Sequence, residues 1–219
     1  MKNFLRKVMD YLFPNFTCQA CDAELHRPTV PNLCNDCSAK LKPAKEIALP
    51  DNSPMDKMFA PFYYAEPVSN VIMRLKYSSD ALAAKTVAPY MAEALGENKF
   101  DMLIPVPLSK SRKRDRGYNQ SELLATEVSA LTQIPVRTDI LQRTRATTPQ
   151  EQMTHEERRE NQKDSVRVAE GYTYDVKGQR ILLIDDVFTS GATLTECARV
   201  LRDAGAVAVS ALVVARVKN

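Results

Sequence analysis

The stretch Ile181-Leu-Leu-Ile-Asp-Asp-Val-Phe-Thr-Ser-Gly-Ala-Thr193 sets two adjacent carboxylates, Asp185 and Asp186, just ahead of a loop of small and hydroxyl-bearing residues, Thr189, Ser190, Gly191, Ala192 and Thr193. A helical apolar pattern from Leu194 to Ala204 follows the loop. Backbone N–H groups at a helix start have no partner within the helix, and the dipole there favours negative charge, so the loop is a candidate anion cradle. Two carboxylates beside a bare phosphate would repel it. They fit a ligand that also carries a diol or a magnesium ion, with the carboxylates accepting hydroxyl protons on one edge and the loop holding phosphate on another. A ribose 5-phosphate has that chemistry. The glycine patterns of dinucleotide folds and of P-loops are both missing.

A second constellation is made of sulfur. Cys18-Gln-Ala-Cys21 and Cys34-Asn-Asp-Cys37 are two knuckles separated by 12 residues. Each lets two thiolates converge from a tight turn, and together they offer the closed tetrahedral set of structural zinc. The span between them carries Pro28 and Pro31 and little that could form a core, so metal would supply the folding energy. Two disulfides are the competing reading, which a reducing compartment disfavours. His26 lies between the knuckles and reads as a surface residue. Cys197 shares an apolar helical stripe with Leu194, Ala198 and Leu201 and reads as core.

The third constellation is basic. Lys110, Arg112, Lys113, Arg114 and Arg116 put five cations into seven positions, ahead of Gly117-Tyr-Asn-Gln120. Such a loop could neutralise a pyrophosphate or could be a solvated surface.

Elements must hold these groups in place. Ile181 to Ile184 reads as a strand with Asp185 and Asp186 beyond its carboxyl end, Leu194 to Ala204 as a helix capped by Gly205, and Val207 to Ala215 as a second strand. That is a βαβ unit with parallel strands, whose ligands bind beyond the strand ends. Met102 to Leu108 is a short apolar strand broken by Pro105 and Pro107. It leads through the basic loop to a helix bearing Leu123, Leu124, Val128 and Leu131, for which Asn119 and Glu122 are spaced as a capping box. Phe4, Leu5, Val8, Met9 and Leu12 predict an N-terminal helix that stops at Pro14.

Of 219 residues, 44% are hydrophobic and 26% charged, with a net charge of +3, which excludes wholesale disorder and fibrous repeats. The longest apolar runs are of strand length, far below the roughly 20 residues of a spanning helix. Stable membrane insertion is therefore not expected. No secretory cleavage pattern follows the N-terminal charges, so a cytoplasmic location is expected.

The segment IDDVFTSGAT resembles the phosphoribosyl pyrophosphate (PRPP) motif of type I phosphoribosyltransferases. The resemblance narrows at PVPLSKSRKRDRGYNQ, which is similar to the ComF family, competence-associated phosphoribosyltransferase homologues with an N-terminal zinc module. Arg74-Leu-Lys-Tyr77, Leu141-Gln-Arg-Thr-Arg-Ala-Thr-Thr-Pro-Gln150 and Arg158-Arg-Glu-Asn161 are similar to further segments of that family. One departure is Val166, where the family usually carries phenylalanine.

The resemblance implies an α/β type I phosphoribosyltransferase fold, a parallel sheet flanked by helices, over residues 55–219, with the N-terminal helix and zinc module over 1–45. It implies a hood near 55–80, a pyrophosphate loop near 105–119, a mobile arm near 142–163 and a PRPP loop over 185–193. The many charges and missing apolar face of 142–163 suit either a lid that orders over ligand or a plain exposed helix or linker. Asp185 and Asp186 would be catalytic and hold the ribose hydroxyls, and Thr189 to Thr193 would hold the 5-phosphate. Pro107, Arg112, Arg116 and Gly117 belong to the pyrophosphate loop, and Arg143, Arg145, Gln150, Arg158 and Asn161 to the arm. Cys18, Cys21, Cys34 and Cys37 would bind zinc, and magnesium would arrive with PRPP. With His26 and His155 the only histidines, no Ser-His or Cys-His nucleophile stands out.

The acceptor of the ribosyl group is not legible. Phe62, Tyr63, Tyr64 and Tyr77 could serve the core or stack a nucleobase or single-stranded DNA. The same resemblance admits a second function, handling of single-stranded DNA during uptake in natural competence, with PRPP binding regulatory or vestigial.

Overall fold

The computed structural model describes residues 17–25, 31–44, 48–77, 81–144 and 164–218, with backbone alone for 110–112. The helix expected over 4–12, His26, and the arm residues Arg145, Gln150, His155, Arg158 and Asn161 lie outside those residues, as does the Arg112 side chain.

The first half contains α1 (Asn35–Ala39), β1 (Met58–Phe59), β2 (Phe62–Tyr63), α2 (Val68–Tyr77), α3 (Ala81–Ala94) and β3 (Met102–Pro105). There follow α4 (Lys110–Arg116), α5 (Gln120–Thr132), β4 (Leu141–Arg143), β5 (Val166–Val168), α6 (Thr173–Val176), β6 (Arg180–Phe188), α7 (Ala192–Asp203) and β7 (Ala208–Arg216).

The near-continuous apolar runs of β6 and β7 are what a sheet buried on both faces requires. These two strands pair in parallel at the centre of a five-stranded sheet, β3 adds to β6, and β1 and β2 lie one after the other along the far side of β7. All these pairings are parallel. Alternation along β6 sends Leu182 and Ile184 into a core shared with α2, α3 and α5, and Ile181 and Leu183 into a core shared with α7. The stretch expected as a hood thus supplies two edge strands and α2. A separate antiparallel ribbon joins β4 to β5, pairing Gln142 with Arg167.

The cysteine module shares the first of these cores, since Cys18, Ala20, Leu33 and Cys37 are buried together with Phe62, Val68 and Val71. Asn70 Nδ2 donates to the Ala20 carbonyl at 3.1 Å, and Arg74 pairs with Asp22. So α2 bridges the module and the sheet.

Three expectations are corrected. The basic run is a short helix, α4, because Lys113 N–H reaches the Ser109 carbonyl and Gly117 N–H the Lys113 carbonyl, and Gly117 at φ +80° then ends it. Asp185 and Asp186 lie inside β6, whose ladder with β7 continues to Phe188, so the acidic pair is held by sheet rather than by a following loop. Leu131 is 55% exposed, as the face that α5 buries runs through Leu124, Ala125 and Val128.

Candidate active site

The four knuckle sulfurs lie within 4.8 Å of one another, and Cys21 Sγ is 3.7 Å from Cys34 Sγ. A tetrahedral zinc with Zn–S bonds of about 2.3 Å would separate its sulfurs by about 3.8 Å, so the cluster fits the ion. No disulfide joins them, and all four cysteines are free. Burial works against a Cys18 thiolate, but N–H groups of Cys34, Ala20 and Cys21 aimed at the sulfur outweigh it and bring its pKa down to about 7. Cys34 caps α1 and accepts the Cys37 N–H at 3.5 Å. The metal such a set holds is structural, since four thiolates leave no open position.

At the other end of α2 stands the acidic pair. Asp185 Oδ1 accepts from Ser121 Oγ at 3.0 Å and from Asp186 N–H at 2.9 Å, and Asp186 Oδ1 accepts from Val187 N–H at 2.7 Å. Lys76 Nζ faces the remaining Asp186 oxygen, Oδ2, at 2.9 Å. Burial, then the neighbouring Asp186 charge, push Asp185 up to about 7 against the opposing pull of these N–H and O–H donors and of Lys76. Burial would lower the Lys76 pKa, yet the Asp186 charge outweighs this and holds it above its ordinary value.

The expected anion loop follows at once. Gly191 is the N-cap of α7 at φ +73°, and a Cβ there would meet the Phe188 ring at 2.4 Å, so both conformation and space demand glycine. Ser190 Oγ is 3.5 Å from the Ala192 N–H. Thr193 is half-buried in the first turn of α7, beside the loop.

The third strand brings in the rest. Asn119 Nδ2 donates to the Val106 carbonyl at 3.0 Å while its Oδ1 accepts the Ser121 N–H at 3.0 Å, tying the end of β3 to the start of α5. The cap thus closes on Ser121 rather than on Glu122, whose Oε1 instead accepts from Asn119 Nδ2 at 3.3 Å. That arrangement sets Ser121 against Asp185. Arg143 Nε donates to the Pro107 carbonyl at 3.0 Å, so the start of the expected arm meets the expected pyrophosphate loop. Arg116 donates to Gln120 Oε1 at 2.6 Å and lies 5.6 Å from the centre of the exposed Tyr77 ring. Tyr118 donates to the Leu75 carbonyl at 2.6 Å, joining this loop to α2.

Sequence reasoning placed Lys76 in the family-like segment Arg74-Leu-Lys-Tyr77 without giving it a role, and it missed Ser121. The capping residue Asn119 was the available signal for Ser121, because a capped helix start fixes where its first side chains point. Cys197 is fully buried and pushed up to about 12 by that burial, an inert core thiol as its stripe indicated.

Residues 83–219 match the family described as phosphoribosyl transferase domain. Competence protein F of Haemophilus influenzae is 30% identical over 216 residues, which cover 88% of this chain and 93% of that protein. The chain belongs to the phosphoribosyl transferase family, ComF type. The ComF-type chain is also similar to the DNA utilization protein YhgH of Escherichia coli, at 29% identity over 205 residues covering 88% of this chain and 86% of that one. Competence protein ComFC of Streptococcus pneumoniae is 30% identical over 151 residues, 66% of this chain and 61% of its own. The match over 83–219 takes in the acidic pair, the anion loop and Ser121, and leaves the cysteine module and α2 outside it. Among the described residues of this ComF-type chain, no helix is long and apolar enough to cross a membrane.

Proposed function

We propose that the protein binds PRPP and transfers its phosphoribosyl group to an acceptor whose identity is open, releasing pyrophosphate. The observation that carries this reading is one continuous segment, in which the sheet-held pair Asp185 and Asp186 runs directly into a loop whose N-cap Gly191, at φ +73°, opens α7 and supplies no side-chain cap to its first N–H groups. In this reading Asp185 and Asp186 accept the ribose hydroxyls, and Thr189 to Thr193 take the 5-phosphate. The pyrophosphate lies toward Pro107, Arg112, Arg116 and Gly117, with Arg143 at the base of an arm that also carries Arg145, Gln150, Arg158 and Asn161. Magnesium accompanies PRPP as part of the substrate and neutralises charge on its phosphates. As the anomeric bond breaks, negative charge grows on the leaving group near the arginines, while positive charge on the sugar is tolerated beside the carboxylates. Zinc on the four cysteines is structural, and the reaction is placed in the cytoplasm, where thiols stay reduced.

The test is incubation with labelled PRPP and a panel of bases, nucleosides and amines, reading pyrophosphate and the ribosylated product together. Acceptor-dependent release supports transfer. The absence of PRPP binding would remove the whole reading.

A second reading, handling of single-stranded DNA during uptake, is supported by the names of the relatives and by the exposed cations Lys113 and Arg114 on α4. It requires single-strand binding that falls steeply with salt, and PRPP would then regulate that binding. Salt-insensitive or undetectable binding rejects it.

A further inference from the structure

We propose that Lys76 is a positioning residue of the phosphoribosyl site, orienting the Asp186 carboxylate and cancelling one charge of the acidic pair so that an anionic sugar phosphate can settle on it. This rests on the PRPP reading above and adds a residue from outside the matched span 83–219.

Three of the four carboxylate oxygens decide the matter. Asp185 Oδ1 accepts from Ser121 Oγ of α5 and from the Asp186 N–H of β6, and Asp186 Oδ1 accepts from the Val187 N–H of β6. Asp186 Oδ2 is buried and receives no well-aligned hydrogen bond from the described residues, so the charge facing it is the Lys76 ammonium at 2.9 Å. The lysine side chain is 24% exposed and the aspartate side chain 8%, so solvent screens this ion pair weakly. Without that cation the pair would either keep its negative charge against a ligand that is itself multiply negative or take up a proton and lose an acceptor for the ribose hydroxyls, since like charges in a partly dry site repel strongly.

The position of Lys76 is prepared in advance. Val71, Ile72 and Leu75 bury the preceding turns of α2. Asn70 and Arg74 hold the helix to the cysteine module, and Tyr118 holds its last turn through the Leu75 carbonyl. Lysine loses much rotamer freedom on burial, and an ammonium held by a helix fixed at both ends meets that cost before ligand arrives. The other groups facing the site are Tyr64, which lies near Lys76, the uncharged Ser121 of α5, and Cys197 of α7, which stands in the field of Asp185, Arg143 and Glu196. Among these, Lys76 is the cation in contact with the pair.

The experiment compares Lys76→Met, Lys76→Gln and Lys76→Arg in the full-length zinc-loaded chain by calorimetric titration with magnesium-PRPP, after a heteronuclear NMR fingerprint shows each is folded. Met and Gln should weaken binding at least tenfold and raise the magnesium concentration needed for half-maximal binding, with Arg restoring part of the loss. Adding Lys76→Met to Asp186→Asn should cost little beyond Asp186→Asn alone, because the lysine acts through that carboxylate. Independently of any ligand, carboxyl carbon NMR should show the acidic pair titrating at higher pH in Lys76→Gln than in wild type. Wild-type affinity in both neutral variants, or losses that add to that of Asp186→Asn, would overturn the positioning role. If the wild-type protein fails to bind PRPP, the phosphoribosyl reading falls and the NMR arm decides alone: unmoved carboxyl midpoints then reject Lys76 as the partner of the pair.

Discussion

Replacing Gly191 by alanine tests the anion loop at the atom where its shape is decided. A residue with a Cβ held at φ +73° costs about 1–2 kcal/mol relative to its relaxed conformation. The new carbon would also stand 2.4 Å from Phe188 Cε2 and 2.7 Å from Cζ, against an ordinary carbon–carbon contact of about 3.5 Å, so roughly 1 Å of movement must be found. The Phe188 ring is half-buried and can give part of that distance, and the loop must give the rest. Taking about 2 kcal/mol for the sum, the melting temperature of a chain this size should fall by roughly 4–8 °C. A loop displaced by about 1 Å should lose its alignment on a phosphate and weaken PRPP by about a hundredfold. Scanning calorimetry with and without magnesium-PRPP reads both effects. Phe188→Leu in the same background should recover part of the ligand response by removing the ring, but not the backbone penalty. A Gly191→Ala protein that melts within about 1 °C of wild type and keeps its full ligand-induced shift would refute the argument from φ and from the ring.

Purified protein should carry about one zinc per chain, and Cys34→Ser should lose both metal and several degrees of thermal stability, because the module shares its core with α2; full zinc retention by the mutant would contradict this. Replacing Arg112 and Arg116 together by Gln should weaken PRPP far more than ribose 5-phosphate, which lacks the pyrophosphate. Equal losses for the two ligands, erased by moderate salt, would instead indicate a general positive patch. Asp185 is pushed up to about 7 in the folded chain, whereas an unfolded aspartate titrates near 3.9. The native state therefore holds the extra proton between those values, and stability should fall as pH rises from about 4 to about 7. Urea unfolding across that range should show the decline in wild type and a flatter profile in Asp185→Asn, and parallel profiles would sink the assignment.

Both chemical centres were legible in the chain because each is local. A knuckle spacing carries its own geometry, and the four cysteines converge as that spacing requires. The βαβ unit was readable for the same reason, since a buried parallel strand, a capped helix and a second strand each leave a periodic signal within a few turns. What periodicity does not carry is register between distant segments. Asp185 and Asp186 read as loop residues, but eight ladder pairs between β6 and β7 extend the strand through them. The basic run read as a loop, because a short polar helix leaves no apolar periodicity in the sequence. Lys76 could not be assigned to Asp186 from sequence, because the contact depends on α2 being fixed between the cysteine module and the sheet while β6 runs beside β7. Ser121 reaches Asp185 across 64 residues for a related reason: its place is set by the Asn119 bridge from α5 to the end of β3, and β3 lies against β6 only in the assembled sheet. Residue types and local spacing therefore determined which chemistry this chain can hold, and the long-range packing of α2, α5 and the sheet decided which further side chains surround it.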